Sequence, residues 1–252
     1  MLNREEIGRI SRFTGMKLHQ QEKHYIQTII LKSLYSKHNL FFKGGTALMF
    51  VYGLNRFSED LDFTLSSVAS MKSLPDDIKR DLELSGIPFQ MKKIKDDDIS
   101  FSLRIGAEGP LFIREIERCF VRIEISRREN VILKPDNIFI DPVYPDLLPF
   151  SLIVMKKDEI LAEKIRAIIT RERAGDVYDA YFLIKKNTGT TMDLINNKLS
   201  YYEKEFDLDE FIHRLHEKKA LWRPELKPVI IGKPPEFEEV EKDVVEFVQR
   251  VR

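Results

Sequence analysis

The chain has 252 residues, which is enough to bury the core of one large domain or of two small lobes. Its 41 basic and 41 acidic side chains cancel, so overall charge does not point to nucleic acid, although a local basic surface remains compatible with RNA binding. The single cysteine, Cys119, excludes an intramolecular disulfide framework and is typical of a reducing compartment.

The first forty residues predict helices. Asn3 and Glu6 form a capping pattern before an apolar stripe, and apolar residues recur at helical spacing from about Gln20 to Lys37. The N-terminal residues have no apolar signal core, and no later stretch approaches the roughly twenty apolar residues of a membrane span. We therefore expect a cytoplasmic protein with no membrane association.

A short apolar run, Leu40-Phe41-Phe42, leads into Lys43-Gly44-Gly45-Thr46. Two glycines let the backbone approach a ligand closely, and a helix that begins here leaves amide groups that favour an anion. We expect this helix to run from Thr46 to Tyr52, with Gly53 ending it. The eight-residue phosphate-loop pattern is missing, so these glycines alone indicate only a tight turn or a helix start.

Asp60 and Asp62 lie in a segment, Phe57 to Leu65, whose alternation predicts a strand. Residues two apart in a strand share a face, so both carboxylates can reach one divalent metal cluster. Arg56 and Ser58 share the same predicted polar face. The pattern also fits an amphipathic edge strand in which Arg56 pairs with one aspartate, an interaction that contributes only about 0 to 1 kcal/mol. Together, the glycine turn and the acid pair favour chemistry on a nucleoside triphosphate.

Another strand is predicted from Cys119 to Ser126, in which Glu124 alternates with apolar residues. Its spacing leaves two interpretations open. Either Glu124 lies on the solvated face of an edge strand, or it is a third carboxylate that faces Asp60 and Asp62 across the sheet.

A last strand, Leu152 to Met155, marks a lobe boundary. We expect residues 1–150 to form an α/β (α+β) lobe with a mixed sheet and N-terminal helices, and residues 151–252 to form a mainly helical lobe that completes a cleft. A predicted helix from Glu159 to about Arg171 places Lys164 and Arg171 on one face, and Asp176 begins the next helix. Spacing alone favours ordinary surface positions for the two basic residues, and Asp176 could equally be a helix cap.

Three blocks of sequence resemble nucleotidyltransferase toxins of the AbiEii/AbiGii type, which belong to the DNA polymerase β-like nucleotidyltransferase superfamily. The blocks are Phe42-Lys43-Gly44-Gly45-Thr46-Ala47-Leu48, Arg56-Phe57-Ser58-Glu59-Asp60-Leu61-Asp62-Phe63, and Glu159-Ile160-Leu161-Ala162-Glu163-Lys164-Ile165-Arg166-Ala167, the last continuing through Arg171, Arg173, Asp176, Tyr178 and Asp179. They occur in the family's order, which is more specific than any single block. The resemblance covers most of the chain and implies a polymerase β-like lobe followed by a helical lobe.

The resemblance also implies an activity: magnesium-dependent transfer of a nucleoside monophosphate from a nucleoside triphosphate to an acceptor hydroxyl. It further implies an RNA acceptor such as a tRNA end, and a toxin–antitoxin or phage-defence system with a cognate antitoxin. The implied site residues are Asp60, Asp62 and Glu124 as ligands of two Mg²⁺ ions, Gly44, Gly45, Thr46, Arg56, Ser58, Lys164 and Arg171 as nucleotide-binding residues, and Asp60, Asp62, Lys164 and Asp176 as catalytic residues.

Two positions depart from the family's pattern. Gly175 stands where related proteins commonly carry arginine, and Glu124 stands where they often carry aspartate. Because the catalytic residues do not specify the acceptor, transfer to a protein or a small molecule stays open. The two departures motivate a further alternative, a catalytically weak module that binds a nucleotide or a partner.

Overall fold

The computed structural model describes residues 1–35, 40–65 and 73–252. Within these ranges the chain forms a mixed α/β structure with ten α-helices and one seven-stranded sheet. The predicted fold class, an α/β protein with a mixed sheet, is therefore confirmed. No helix in the described ranges has both the length and the apolar character needed to cross a membrane.

The sheet has the strand order β3-β4-β5-β2-β1-β7-β6. Its strands are β1 (Leu40–Lys43), β2 (Leu61–Leu65), β3 (Phe89–Asp96), β4 (Ser100–Ala107), β5 (Cys119–Ser126), β6 (Asp136–Ile140) and β7 (Phe150–Val154). It is mixed, because β2 runs parallel to β5 and antiparallel to β1. Since β5 lies between β4 and β2, the interpretation of Glu124 as an edge-strand residue is wrong.

Of the helices in the described ranges, two precede the first strand, two lie between strands and six follow the last strand. They are α1 (Arg4–Thr14), α2 (Leu18–Tyr35), α3 (Gly44–Tyr52), α4 (Leu74–Leu84), α5 (Lys157–Thr170), α6 (Ala174–Lys185), α7 (Met192–Ser200), α8 (Leu208–Glu217), α9 (Lys219–Leu226) and α10 (Phe237–Val251). The predicted capping box at the first helix is confirmed, because the Asn3 side chain accepts from the Glu6 amide and the Glu6 side chain accepts from the Asn3 amide.

One compact unit comprises residues 1–47, 59–131 and 135–154, and it holds the whole sheet with α1, α2 and α4. Helix α2 packs against β5, β7 and α4. Ile26 and Ile30 of α2 are fully buried, as are Ile123 and Ile125 of β5. This core fixes β1, β2 and β5 side by side, and the opposite face of β5 carries its polar side chains.

The second compact unit comprises residues 48–58, 132–134 and 155–252, and it is mainly helical. Helix α5 is its central element: it packs against α6, α7 and α8, and every residue from Glu159 to Ile169 is buried. Charged residues of α5 are therefore held inside the unit, where each needs an opposite charge or a hydrogen-bonding partner.

Two predicted boundaries near the glycine turn are wrong. Helix α3 starts at Gly44 rather than Thr46, and β2 starts at Leu61 rather than Phe57. The reason for the second is that the Phe57 amide donates to the Val229 carbonyl at 2.7 Å, and Arg56 forms a bridge with Ile230. The backbone around Arg56 is therefore paired within the second unit, so Arg56 and Ser58 do not share a strand face with Asp60 and Asp62.

Candidate functional site

Gly44 and Asp62 meet where β1 passes into α3. Gly44 has a φ of +76°, and a Cβ at this position would lie 2.6 Å from Oδ2 of Asp62. The preceding residue, Lys43, is paired in register with Asp62 on β2. Glycine is required here both for the left-handed backbone and for the space. The first turn of α3, whose amide groups lack intrahelical partners, therefore lies against the Asp62 carboxylate.

Asp60 occupies the turn before β2, and Thr46 holds it there. The Thr46 side chain is fully buried, and its hydroxyl donates to the backbone carbonyl of Asp60. Because Thr46 has no exposed surface in the structure, its hydroxyl is not accessible for the predicted contact with a nucleotide. Thr46 instead fixes the position of the acid turn, and Gly45, the second residue of α3, lies between it and Gly44.

Glu124 shares the sheet face of Asp62, because the parallel register of β2 and β5 pairs the two residues directly. Its carboxylate makes an ion pair with Arg122 at 2.6 Å, and both side chains are 44% exposed. Burial and the neighbouring Glu124 carboxylate raise the pKa of Asp60 above its usual range, with the Arg122 charge opposing them. Asp60 and Glu124 are thus electrostatically coupled, and Asp62 is paired in register with Glu124, so a cation here would be stabilised by nearby negative charge.

The donor set fits magnesium better than a metal that needs a complete protein cage. Among the described residues, no three His, Cys, Asp or Glu side chains already converge on one point. Magnesium usually takes one or two carboxylates and completes its shell with water and substrate phosphates. Asp60 and Asp62 provide hard oxygen ligands of this kind beside the amide groups of α3, so the residues present fit the metal.

The second unit contains a buried charge network around Lys164 of α5. The Lys164 ammonium lies 2.7 Å from Oδ1 of Asp176 and 2.8 Å from Oδ2 of Asp179, both on α6. Arg56 closes the network, donating from Nε to Oδ1 of Asp179 at 2.9 Å and from Nη2 to Oδ2 at 2.8 Å. Such a bidentate pair is the strongest geometry for arginine and a carboxylate.

Asp176 has one oxygen available for a further partner. Its Oδ1 accepts from Lys164, whereas its buried Oδ2 has no hydrogen bond among the described residues and has Arg171 Nε at 3.8 Å. Arg171 is extended rather than helical and caps the end of α5, so the predicted helix face shared with Lys164 is wrong, although both cations reach Asp176. Asp176 is also not the cap of α6, because that position is Arg173.

These charges are held in fixed protonation states. Burial opposes the charge on Lys164, but the carboxylates of Asp176 and Asp179 outweigh it and raise the pKa of Lys164. Burial likewise opposes ionisation of Asp176 and Asp179, yet the cations beside them, Lys164 for Asp176 and Arg56 first for Asp179, lower the pKa of both acids. Lys164 is therefore a charged donor at neutral pH, suited to stabilising anionic oxygens rather than to accepting a proton.

The alternative interpretation, in which Arg56 pairs with Asp60 or Asp62, is wrong, because the carboxylate partner of Arg56 is Asp179, 123 residues away in sequence. Gly175 explains part of this placement. A Cβ at residue 175 would lie 3.6 Å from Cζ of Arg56, so the guanidinium packs against a position that has no side chain. Asp179 has no role among the residues predicted from the sequence. The signal that points to it is its place in the third sequence block, one helical turn after Asp176.

The structure thus gathers the predicted site residues into two sets. The first unit holds Gly44, Gly45, Thr46, Asp60, Asp62 and Glu124, and the second holds Arg56, Ser58, Lys164, Arg171 and Asp176. Ser58 is partly buried and lies in the segment that ends the first part of the second unit.

The chain is similar to known proteins in sequence and in fold. A family model described as the nucleotidyl transferase AbiEii toxin of a type IV toxin–antitoxin system matches residues 30–248. Among solved structures, JHP933 from Helicobacter pylori is 22% identical, with a TM-score of 0.64 over 92% of this chain and 91% of that chain. MenT4, a nucleotidyltransferase toxin from Mycobacterium tuberculosis H37Rv, is 17% identical, with a TM-score of 0.63 over 98% of this chain and 88% of that chain. At these identities the likeness shows a shared fold. No curated protein matches the chain in sequence.

Proposed function

This chain belongs to the AbiEii nucleotidyltransferase toxin family of type IV toxin–antitoxin systems, and on that premise we propose that it transfers a nucleoside monophosphate from a nucleoside triphosphate to a hydroxyl of RNA. The family match confirms the resemblance inferred from the three sequence blocks, and with it the prediction that the protein is a nucleotidyltransferase and a toxin of a toxin–antitoxin system. The metal, the nucleotide contacts and the acceptor are the parts that we propose.

The contact between Gly44 and Asp62 carries the proposal. A helix start with free amide groups is an anion site, and a carboxylate placed against it needs a cation between itself and a bound phosphate. A side chain at residue 44 would clash with Oδ2 of Asp62, so the local structure keeps the helix start and the acid in direct proximity. That combination suits a metal-bound triphosphate.

Asp60 and Asp62 would hold the magnesium, with Glu124 joining once its ion pair to Arg122 opens. Magnesium held by these carboxylates, as two ions, would supply positive charge for the triphosphate and would lower the pKa of the attacking hydroxyl. The amide groups of Gly44 and Gly45 would bind phosphate oxygens, and Thr46 keeps Asp60 in place through its buried hydroxyl.

In the second unit, Lys164 and Arg171 would stabilise the negative charge of the transferring phosphoryl group and of the leaving pyrophosphate. Asp176 holds the Lys164 ammonium through Oδ1, and its second oxygen would accept a hydrogen bond from the acceptor. Arg56, which sequence reasoning assigned to nucleotide binding, instead orients Asp179, and Ser58 stays a predicted nucleotide contact.

We propose RNA, and specifically a tRNA 3′ end, as the acceptor. The reaction would then take place in the cytoplasm, where tRNA and nucleoside triphosphates are available, and a cognate antitoxin would oppose it. The test is incubation of the purified protein with magnesium, each labelled nucleoside triphosphate in turn, and total tRNA. Label on tRNA is expected from the wild-type protein but not from Asp62→Asn, since that variant loses a metal ligand.

Two other outcomes of this experiment would overturn the RNA proposal. Label on protein or on a small molecule would identify a different acceptor for the same chemistry. Tight nucleotide binding without transfer or pyrophosphate release would identify a nucleotide-binding module, the alternative motivated by Gly175 and Glu124. Turnover retained in Asp62→Asn would contradict the assignment of the metal ligands.

A further inference from the structure

Three basic side chains form a row on the exposed face of the sheet. The register pairs Lys92 of β3 with Arg104 of β4, and Arg104 with Arg122 of β5. All three residues are exposed. Because neighbouring strands lie about 4.7–4.9 Å apart, the row spans roughly 10 Å. This length suits an extended polyanion rather than a single anion.

A β-bulge adds a fourth cation to the same face. The register changes from Lys93 opposite Leu103 to Lys95 opposite Ser102, so one extra residue lies between them. Such a bulge re-aims the side chains that follow it. Lys95 therefore lies on the same face as Lys92 and Arg104, although residues three apart in a regular strand would lie on opposite faces. Lys95 also makes an ion pair with Asp97 at 3.0 Å.

The row ends beside the acids of the candidate site. Leu61 of β2 pairs with Ile123 of β5 in parallel register, so the residues that precede them, Asp60 and Arg122, lie next to each other. Two positions further along each strand, the register places Asp62 beside Glu124. The cations and the proposed metal ligands thus occupy one continuous sheet face within the first unit.

Two of the cations have no carboxylate to neutralise them. Among the described residues, neither Lys92 nor Arg104 makes an ion pair, and the Arg104 guanidinium lies 4.9 Å from the centre of the Phe120 ring. Lys93, which lies on the opposite face, pairs with Asp96 at 3.1 Å. In a chain with no net charge, free cations concentrated on one face mark a surface for an anionic partner.

An exposed aromatic ring accompanies the cations. Phe120 is 44% exposed and lies opposite Gly106 of β4. A Cβ at Gly106 would come within 2.9 Å of the Phe120 ring, so the glycine allows the ring to lie across β4. Surfaces that bind single-stranded nucleic acid combine a basic track for the backbone with aromatic rings on which bases stack.

We propose that this face, formed by Lys92, Lys95, Arg104, Phe120 and Arg122, binds the single-stranded 3′ segment of the acceptor RNA. The cations contact successive phosphates and Phe120 stacks on a base, so that the strand is led toward Asp60 and Asp62. The inference rests on the proposed function for the choice of RNA. An acidic protein segment would use the cations but would gain little from an exposed ring.

The experiment is fluorescence anisotropy with a short 5′-fluorescein-labelled single-stranded RNA, without nucleotide or magnesium. The double variant Lys92→Gln/Arg104→Gln is expected to bind about tenfold more weakly, and its plot of log affinity against log salt should flatten by about 0.7 for each lost phosphate contact. Phe120→Ala should also weaken binding about tenfold but leave the salt slope unchanged. Lys93→Gln, a matched change on the opposite face of β3, should bind like the wild type. Arg122 is left unchanged because it adjoins Asp60.

Wild-type affinity in the double variant would overturn the proposal, as would an equal loss in Lys93→Gln. Competition by polyglutamate at the affinity of the RNA, with no effect of Phe120→Ala, would identify an acidic protein partner instead. Transfer of label to tRNA, measured in parallel, separates the two proposals. Binding that depends on this face without transfer would support the surface and contradict the proposed function. Normal transfer and normal RNA binding by the double variant would support the proposed function and contradict the surface.

Discussion

Two features of the structure require glycine at position 44: the left-handed backbone conformation and the close approach of the Asp62 side chain. The effects of the two can be measured separately. Its φ of +76° is strained for any other residue, and a Cβ would meet Oδ2 of Asp62 at 2.6 Å. We expect Gly44→Ala to lower the free energy of unfolding by about 1–3 kcal/mol and to abolish nucleotidyl transfer, because Asp62 must move to accommodate the methyl group. Urea denaturation and a turnover assay measure the two effects.

Gly53 provides the matched control. Its φ of +75° is nearly the same, but a Cβ there would have nothing within 4 Å. Gly53→Ala should therefore lose stability by about 1–2 kcal/mol through backbone strain alone and keep its turnover. Equal activity in the two alanine variants would show that displacement of Asp62 does not matter.

We expect the Asp60 carboxylate to destabilise the folded protein when no metal is bound, although the proposed reaction needs this carboxylate. Burial and Glu124 raise its pKa in the folded state, so the folded protein holds this proton more tightly than the unfolded chain, whose aspartate pKa is about 3.9. Stability therefore falls as the pH rises through the unfolded value toward the folded one. We expect Asp60→Asn to be more stable than the wild type at pH 7, to lose that advantage below about pH 4, and to lose turnover by at least about 100-fold.

Urea denaturation at both pH values and a turnover assay test this expectation. Glu59→Gln is the control, since Glu59 is an exposed neighbour whose ion pair to Lys23 lies at the surface. That variant should stay within about 1 kcal/mol of the wild type and remain active. An Asp60→Asn protein less stable than the wild type at pH 7 would show that the carboxylate is not electrostatically strained.

At the scale of elements, the pair of Arg56 and Asp179 ties the segment before β2 to α6. The Arg56 side chain is 13% exposed and that of Asp179 is fully buried. Arg56→Met leaves a buried carboxylate without its main partner, so we expect a loss of about 3–5 kcal/mol in unfolding free energy. Adding Asp179→Asn removes that charge and should recover at least half of the loss, since the amide oxygen still accepts from Lys164. A double-mutant cycle by urea denaturation measures this coupling.

An exposed pair serves for comparison. Arg80 and Asp81 lie 3.1 Å apart, but the Arg80 side chain is 53% exposed. Arg80→Met should change stability by less than about 1 kcal/mol, because solvent screens the interaction. A similar small effect of Arg56→Met would mean that the buried network does not hold the two segments together.

The sequence predicts most of the first set of residues because its signals are local. The glycine turn, the acid doublet and the alternation around Glu124 each depend on near neighbours, and strand periodicity places Asp62 and Glu124 on one face of the sheet, as the register shows. The pairing of Arg56 with Asp179 has no such signal. It depends on the backbone hydrogen bond from Phe57 to Val229, which forms between segments far apart in sequence, and this pairing also makes β2 begin four residues later than its alternation predicts.

At the scale of the whole molecule, each compact unit holds its own set of charged candidate-site residues. The first unit presents acids beside the free amides of α3, and the second holds three cations, Arg56, Lys164 and Arg171, against two buried carboxylates. A magnesium-bound triphosphate has features that suit both sets, since its metal seeks carboxylates and its remaining oxygens seek cations. The proposed reaction accordingly requires that one bound nucleotide affect both units.

Hydrogen exchange tests that requirement. With magnesium and a nucleoside triphosphate analogue that resists transfer, at about 100 times its Kd, binding should add roughly 2.7 kcal/mol to the stability of the folded state. We expect slower exchange both at Gly44–Thr46 and in residues 171–173, which connect α5 to α6. Lys164→Met should keep the protection at Gly44–Thr46 and lose that at residues 171–173, because the first set of ligands is intact in this variant. Protection confined to the first unit of the wild-type protein would show that the Lys164 network serves the fold rather than the nucleotide.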